Sequence, residues 1–208
     1  MSHIHSDHPV RDAVALIETA LRDALGVRDR AVLMLSGGTS PRPVHQALSR
    51  IDLDWSRVHV GLVDDRVDPA GSNADFVRET LLRNRAAAAT FHPMKEGGYA
   101  DLMPADMCVM GMGTDGHTAS WFPKTADLAK AMDPDTDEIV VAVDSESVPG
   151  AGEFRHRLTL TLPAVMQSRH ILLFIPGAKK REVFENRSGL PVNTLTASDR
   201  LTVITGDA

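Results

Sequence analysis

Gly111-Met112-Gly113-Thr114-Asp115-Gly116-His117-Thr118-Ala119-Ser120 is the stretch on which the reading of this chain turns. Met107 to Met110, just before it, are uniformly apolar, as in a buried strand, and Thr118 to Trp121, just after it, are suited to start a helix. Asp115 and His117 are thus expected on a tight glycine loop at the carboxyl end of a strand. In open α/β sheets that edge is where ligands bind. Glycines let the backbone approach a ligand closely. A carboxylate and an imidazole two residues apart on such a loop point to acid–base chemistry rather than packing.

Gly111, Gly113 and Gly116 also fit the Gly-x-Gly-x-x-Gly pattern of dinucleotide sites. That reading requires an acid at the end of the next strand, about 20 residues on. The next strand, Ile139 to Val143, reaches its terminal Asp144 too late, and Asp133, Asp135 and Asp137 all precede it. A nicotinamide cofactor is therefore disfavoured, and no cofactor is expected. A structural strand-to-helix turn would need the glycines but neither Asp115 nor His117.

Outward from the loop, apolar segments alternate with helical ones. Residues 9–26 carry Val10, Ala13, Ile17, Ala20, Leu21 and Leu25 at helical spacing, with Gly26 as a stop. Ala31 to Leu35 reads as a short buried strand, and Pro41 suits the first turn of a helix reaching about Arg50. Val58 to Val63 is the next strand, ending at Asp64-Asp65-Arg66. Ser72 or Asn73 can cap a helix running to about Asn84. Strands follow at about 107–111, 138–143 and 170–175, then a helix over Lys179 to Asn186 and a last strand over Leu201 to Thr205. This alternation predicts an α/β fold: one domain over residues 1–208, built on a mostly parallel, doubly wound sheet with helices on both faces. No repeat or low-complexity linker interrupts it.

Composition narrows the function. The 208 residues are enough for one sizeable core, and 43% hydrophobic with 24% charged residues is an ordinary soluble profile. The net charge is −6 with no basic block, so nucleic acid is not an expected partner and any anion site must be local. Cys108 is the single cysteine; it cannot pair within the chain, and in an apolar strand it reads as a small core residue. No apolar run approaches the roughly 18 residues of a membrane span, and the amino terminus has no apolar signal core. A cytoplasmic enzyme, monomeric or weakly dimeric and making no membrane contact, is the expectation. His3, His5 and His8 read as part of a flexible polar tail over residues 1–8 rather than a metal site, since a frayed end is not preorganised.

Further segments carry candidate site residues. Ser36-Gly37-Gly38-Thr39-Ser40-Pro41 has the form of a phosphate cradle, with backbone N–H groups, hydroxyls and a following helix start. It lacks the Gly-Lys-Ser/Thr of a Walker loop, so a sugar phosphate fits better than a nucleotide. At Asp64-Asp65-Arg66, carboxylates can bind hydroxyls or act as a base, and Arg66 can steady an oxyanion. Asn73 serves as helix cap or ligand. Arg157, ahead of Leu158 to Leu162, and Lys179 or Lys180, after Pro176-Gly177, can reach a phosphate.

These segments together resemble the 6-phosphogluconolactonase family. Ser36 to Pro41 is similar to its Ser-Gly-Gly-Ser/Thr-x-Pro, and Asp64-Asp65-Arg66 with Ser72-Asn73 to its Asp-Glu-Arg and Ser-Asn. Gly111 to Pro123 resembles its Gly-x-Gly-x-Asp-Gly-His-Thr-Ala-Ser-Leu-Phe-Pro, Arg157 to Pro163 its Arg-Ile-Thr-Leu-Thr-Leu-Pro, and Gly177 to Lys180 its Gly-x-x-Lys. The blocks run in family order over about residues 31–187. The resemblance implies a Rossmann-like fold and a metal-free hydrolase of 6-phosphoglucono-δ-lactone. His117 would be its general base and Asp115 the orienting partner, while the cradle (Ser36, Gly37, Gly38, Thr39), Arg157 and Lys180 hold the phosphate. Arg66 and loop N–H groups would receive the oxyanion, Asp64 would bind sugar hydroxyls, and Asn73, Gly113 and Gly116 are further expected substrate-binding residues. Asp65 stands where the family has Glu and Trp121 where it has Leu. The segment from Phe91 to Asp106 is short, and the family's carboxy-terminal Trp-x-x-Asp is not evident in Leu201 to Ala208.

Two alternatives remain on sequence grounds. Glucosamine-6-phosphate deaminases have a similar Asp-Gly-His loop followed by a Glu five residues after the His, where this chain has Phe122, which cannot exchange a proton. A non-catalytic sugar-phosphate sensor would need the cradle but not His117, and no DNA-binding segment is present to report its signal.

Overall fold

The computed structural model describes residues 1–67, 71–145, 148 and 154–206. Strands β1 (Ser2–His5), β2 (Ala31–Leu35) and β3 (Val58–Leu62) are followed by β4 (Asp64–Arg66), β5 (Thr90–Phe91) and β6 (Met107–Met110). Then come β7 (Val140–Asp144), β8 (His156–Leu160), β9 (Ile171–Phe174) and β10 (Leu201–Thr205). Seven of them form a parallel sheet in the order β1-β10-β9-β6-β2-β3-β5, and β4-β8-β7 form a separate antiparallel one. The helices are α1 (Pro9–Val27), α2 (Arg42–Leu48), α3 (Asn73–Thr80), α4 (Leu128–Met132), α5 (Leu162–Met166) and α6 (Ala178–Asn186).

Every residue of β2, β6 and β9 is buried. Alternate side chains of a strand point to opposite faces, so these strands are covered on both. The Val/Leu/Met runs seen in the sequence are the cause. Helix α1 lays Ala13, Ile17, Ala20, Leu21 and Ala24 on the sheet, and its last carbonyls are met by Arg57, whose guanidinium donates to Leu25 O (3.1 Å) and Arg28 O (2.6 Å). At the amino ends of the strands, the buried Asp106 accepts from Val32 N–H (2.8 Å) and pairs with Arg169 and Arg28, tying β2 to the approach of β6. No helix among the described residues is long and apolar enough to cross a membrane.

Four local expectations give way. The free tail expected over residues 1–8 is in its first part strand β1, which pairs with β10 from Ser2↔Thr202 to His5↔Thr205. It covers the backbone groups that β10 would otherwise leave open, and His3 and His5 both bond Thr205 Oγ1. Thr118 to Trp121 forms a tight bridged turn with Ala119 at φ +47°, not a helix start. Thr118 Oγ1 donates to Gly111 O and the Trp121 indole donates to Leu160 O, and these tertiary bonds override local preference. Asp64–Arg66 and Val140–Asp144 leave the main sheet for the small one. Helix α3 stops at Thr80, short of Asn84.

Helices α2 and α3 meet at a buried imidazole. Thr80 Oγ1 donates its proton to Phe76 O (2.6 Å), so it accepts from His45 Nδ1 (3.1 Å), and Nε2 is left buried without a partner. Burial first, and then Arg42, push His45 down to about 3. An unfolded histidine titrates near 6.5, so below that pH the unfolded chain takes a proton the folded one refuses. Stability is therefore full above about pH 6.5 and is lost as pH falls toward 3, by up to about 1.4 kcal/mol per pH unit. Urea unfolding across this range should show a shallower pH slope for His45→Leu than for the parent; equal slopes would show that the folded imidazole titrates normally.

Candidate active site

From β2 the chain steps outward through β3 to β5, then returns to β6 on the other side of β2 and steps outward through β9 to β10. The order reverses between β2 and β6, and loops leaving adjacent strands there must part, which opens a crevice at the carboxyl edge. A cavity of about 470 Å³ lies there, bounded by the segments that follow β2, β3, β6 and β9.

The loop after β6 carries the imidazole. Gly113 N–H donates to His117 O (2.9 Å) and Gly116 N–H to Gly113 O (3.1 Å), folding the segment back on itself. Gly116, at φ +86°, makes the turn behind the ring against Leu190 and does not border the cavity. The fold-back brings Asp115 Oδ1 to 2.6 Å from His117 Nδ1. A Cβ on Gly113 would lie 2.2 Å from His117 Cε1 and 2.6 Å from Asp115 Oδ1, so only glycine admits the pair. Burial alone would raise the Asp115 carboxyl, but the hydrogen bond and charge of His117 hold it below the ordinary carboxylate value. Asp115 is thus ionised at neutral pH and can only accept. Nδ1 must carry the proton, and the neutral ring's lone pair sits on Nε2. His117 lines the cavity and Asp115 stands behind it.

The loop after β2 faces it. Ser36 N–H donates to Val109 O (3.1 Å), and Ser36 Oγ is buried with no hydrogen-bond partner. A Cβ on Gly37 would fall 2.1 Å from Asn73 Oδ1, which fixes glycine there for close approach. Ser36, Gly37, Gly38 and Thr39 all border the cavity, as does Ser40, whose Oγ accepts from Lys180 Nζ (2.8 Å). Between the two lysine candidates the geometry is plain: Lys180 lines the cavity and Lys179 is exposed on the outer side of α6. Burial lowers the Lys180 ammonium from its ordinary value.

The small antiparallel sheet closes the third side. Its register sets Arg66 opposite Arg157 and Asp64 opposite Thr159. Arg157 is 3.7 Å from Asp64, both almost fully buried, and its guanidinium carbon is 5.1 Å from the centre of the Phe122 ring. Arg66 lies over Phe154 at 4.8 Å, donates to Gly71 O, and keeps a buried Nε with no partner. Asp64 also accepts from Ser120 Oγ (2.7 Å) and from Asn73 Nδ2 (3.2 Å). Asp65 points elsewhere: it accepts from the N–H groups of Arg66 (2.8 Å) and Asn73 (2.6 Å), fastening the turn into α3. Burial raises its carboxyl against those bonds.

Of the residues singled out from sequence, Asp115 and Gly116 support the wall from behind, Asp65 and Lys179 lie away from the cavity, and Ser36 to Thr39, Asp64, Arg66, Asn73, Gly113, His117, Arg157 and Lys180 border it directly. Three cationic side chains, Arg66, Arg157 and Lys180, meet one carboxylate, Asp64, in a chain of net charge −6. The excess of cationic side chains gives the cavity a lining that can receive an anion. Sequence reading passed over Ser120, Phe154 and the structural part of Phe122. Only the Arg-Phe contacts of folded, distant segments reveal the two rings. Among the described residues, no group of three or more His, Cys, Asp or Glu side chains is placed to hold a metal ion.

The model of the glucosamine-6-phosphate isomerases/6-phosphogluconolactonase family matches residues 5–203. A 6-phosphogluconolactonase of Mesorhizobium japonicum is 42% identical over 83% of this chain and 79% of its own. One from Neisseria meningitidis serogroup A is 39% identical over 84% and 80%. The crystal structure of a 6-phosphogluconolactonase from Shewanella baltica superposes with a TM-score of 0.86 at 31% identity, covering 100% of this chain and 97% of that one. With the family model spanning nearly the whole sequence and its glycine loops, imidazole and arginines gathered around one cavity, the chain belongs to the glucosamine-6-phosphate isomerase/6-phosphogluconolactonase family.

Proposed function

We propose that the chain hydrolyses 6-phospho-D-glucono-1,5-lactone to 6-phosphogluconate, a step of the oxidative pentose phosphate pathway. The observation that carries this reading is the 2.6 Å bond from His117 Nδ1 to an ionised Asp115, with the ring on the cavity wall. It leaves Nε2 as a base. The relatives named for this activity and the anion-binding character of the cavity support the substrate class.

His117 Nε2 takes a proton from water as the water oxygen adds to the lactone carbonyl. Asp115 holds the tautomer and stabilises the imidazolium that forms. Arg66 and loop N–H groups receive the charge on the tetrahedral oxygen. Collapse of the intermediate breaks the bond to the ring oxygen, and the imidazolium returns its proton there. The phosphate docks against Ser36 to Thr39 with Lys180 and Arg157, and Asp64 and Asn73 meet the sugar hydroxyls. Ring opening and loss of an amine would call for a proton-exchanging group where Phe122 stands.

General-base help is worth about 10²–10⁴-fold. His117→Ala should therefore lower kcat by at least about 10²-fold while keeping affinity for 6-phosphogluconate, measured by product-binding calorimetry and a lactonase assay at mildly acidic pH. Turnover within a few-fold of the parent would remove His117 from the base role.

Lys180→Met should raise KM for the phosphorylated lactone and leave the unphosphorylated one almost unaffected, because a charge-assisted contact is lost only where a phosphate exists. Equal kcat/KM for the two lactones in the parent protein would defeat the phosphate assignment. Treatment with EDTA followed by dialysis should leave turnover unchanged; a loss restored by a divalent cation would overturn the metal-free mechanism.

A further inference from the structure

One hydrogen bond fixes an atom of an imidazole but not the plane of its ring. The bond from His117 to Asp115 leaves the ring free to tilt about Nδ1, and a tilt moves Nε2, the atom that must meet the water. The second constraint is Phe122. Its ring centre lies 4.5 Å from that of His117 with the planes inclined by 41°. The same ring is 5.1 Å from the Arg157 guanidinium carbon, and it borders the cavity. Phe122 is itself rigidly held. It is 1% exposed, the neighbouring Trp121 indole is locked to Leu160 O (2.8 Å), and Phe122 O accepts from Thr125 Oγ1 (3.0 Å).

Resting on the lactone-hydrolase reading above, we propose that Phe122 is a positioning residue: one ring holds the His117 imidazole against Asp115 and seats the Arg157 guanidinium, fixing the distance between the base and the cation. Its two contacts differ in kind. His117 needs bulk, because what it receives is a stop against tilting. Arg157 needs the π face, to which a cation is drawn. Arg157 has other anchors as well, Phe154 O at 3.2 Å from its Nε and Asp64. Among the described residues, the imidazole is held by its bond to Asp115, by the Gly113 backbone packed beneath it and by this ring, the one aromatic contact it makes. Removal of the ring therefore acts first on catalysis, and loss of aromaticity alone acts first on binding.

The test separates these effects with Phe122→Ala and Phe122→Leu, both checked by thermal melts. Long-range ¹H–¹⁵N spectra of the imidazoles, with the His117 signals identified by their loss in His117→Ala, read the ring without substrate. The parent should show a single Nδ1-protonated tautomer. Phe122→Ala should show a tautomer mixture or broadened His117 signals, and a kcat lowered by about 10- to 100-fold, the scale of a misplacement near 1 Å. Phe122→Leu keeps bulk beside the imidazole but has no π face; its kcat should stay within a few-fold of the parent while KM rises several-fold. Unchanged His117 signals and kcat in folded Phe122→Ala would overturn the proposal, as would equal losses of kcat in the two variants. If Phe122→Ala does not fold, Phe122→Leu decides: KM equal to the parent's overturns it. Failure of the lactonase reading is recognised separately, since the parent itself would then turn over no lactone while the spectra still report how the ring is held.

Discussion

The parallel ladder between β2 and β6, with Leu33 beside Met107 and Leu35 beside Val109, is the constraint from which the rest of the molecule follows. Both strands are buried throughout, so neither can end in mid-core. Both must deliver the chain to the same edge. There the connections part, because β2 leads on toward β3 and β6 toward β9. The bond from Ser36 N–H to Val109 O carries the ladder one step past β2, into the first residue of the cradle. The cradle and the imidazole loop are therefore registered against each other by main-chain bonds, independent of any bound molecule.

The small sheet adds the charge. Setting Arg66 opposite Arg157 is unfavourable in itself, since like charges across a ladder repel. The repulsion is tolerated because Asp64 pairs with one guanidinium and each has a phenyl ring beneath it. What is left over is positive potential concentrated in a concave, partly desolvated space, where it acts more strongly than on an open surface. An acidic chain can in this way concentrate positive charge in a cavity without any basic surface patch.

Most of the main sheet was legible because its strands are short apolar runs between helical periodicities, and a parallel sheet leaves that signature. The imidazole loop was legible because its glycines are dictated by close approach: Gly113 lies under the His–Asp pair and Gly37 under Asn73. The reach of Asp115 to His117 is a local matter of a loop folding back, which the two-residue spacing by itself left open. What could not be read depends on segments far apart in the chain. Arg66 meets Arg157 through an antiparallel pairing that no spacing rule announces. The turn at Thr118 is set by bonds to Gly111 and, through Trp121, to Leu160. Ser2 to His5 is polar enough to read as a tail and becomes a strand because β10 offers it an edge.

That last pairing bears on how the molecule is assembled. Ser2 lies beside Thr202, so the strand at the sheet's rim joins residues from nearly opposite ends of the sequence. During synthesis β1 emerges long before β10, and the two can pair only once β10 has been made. Contacts of such wide separation close late and slowly, because the intervening chain must be ordered first. The cradle, the imidazole loop and the ladder between β2 and β6 need none of it. The half of the sheet that bears the cavity can thus take shape before the outer rim is sealed.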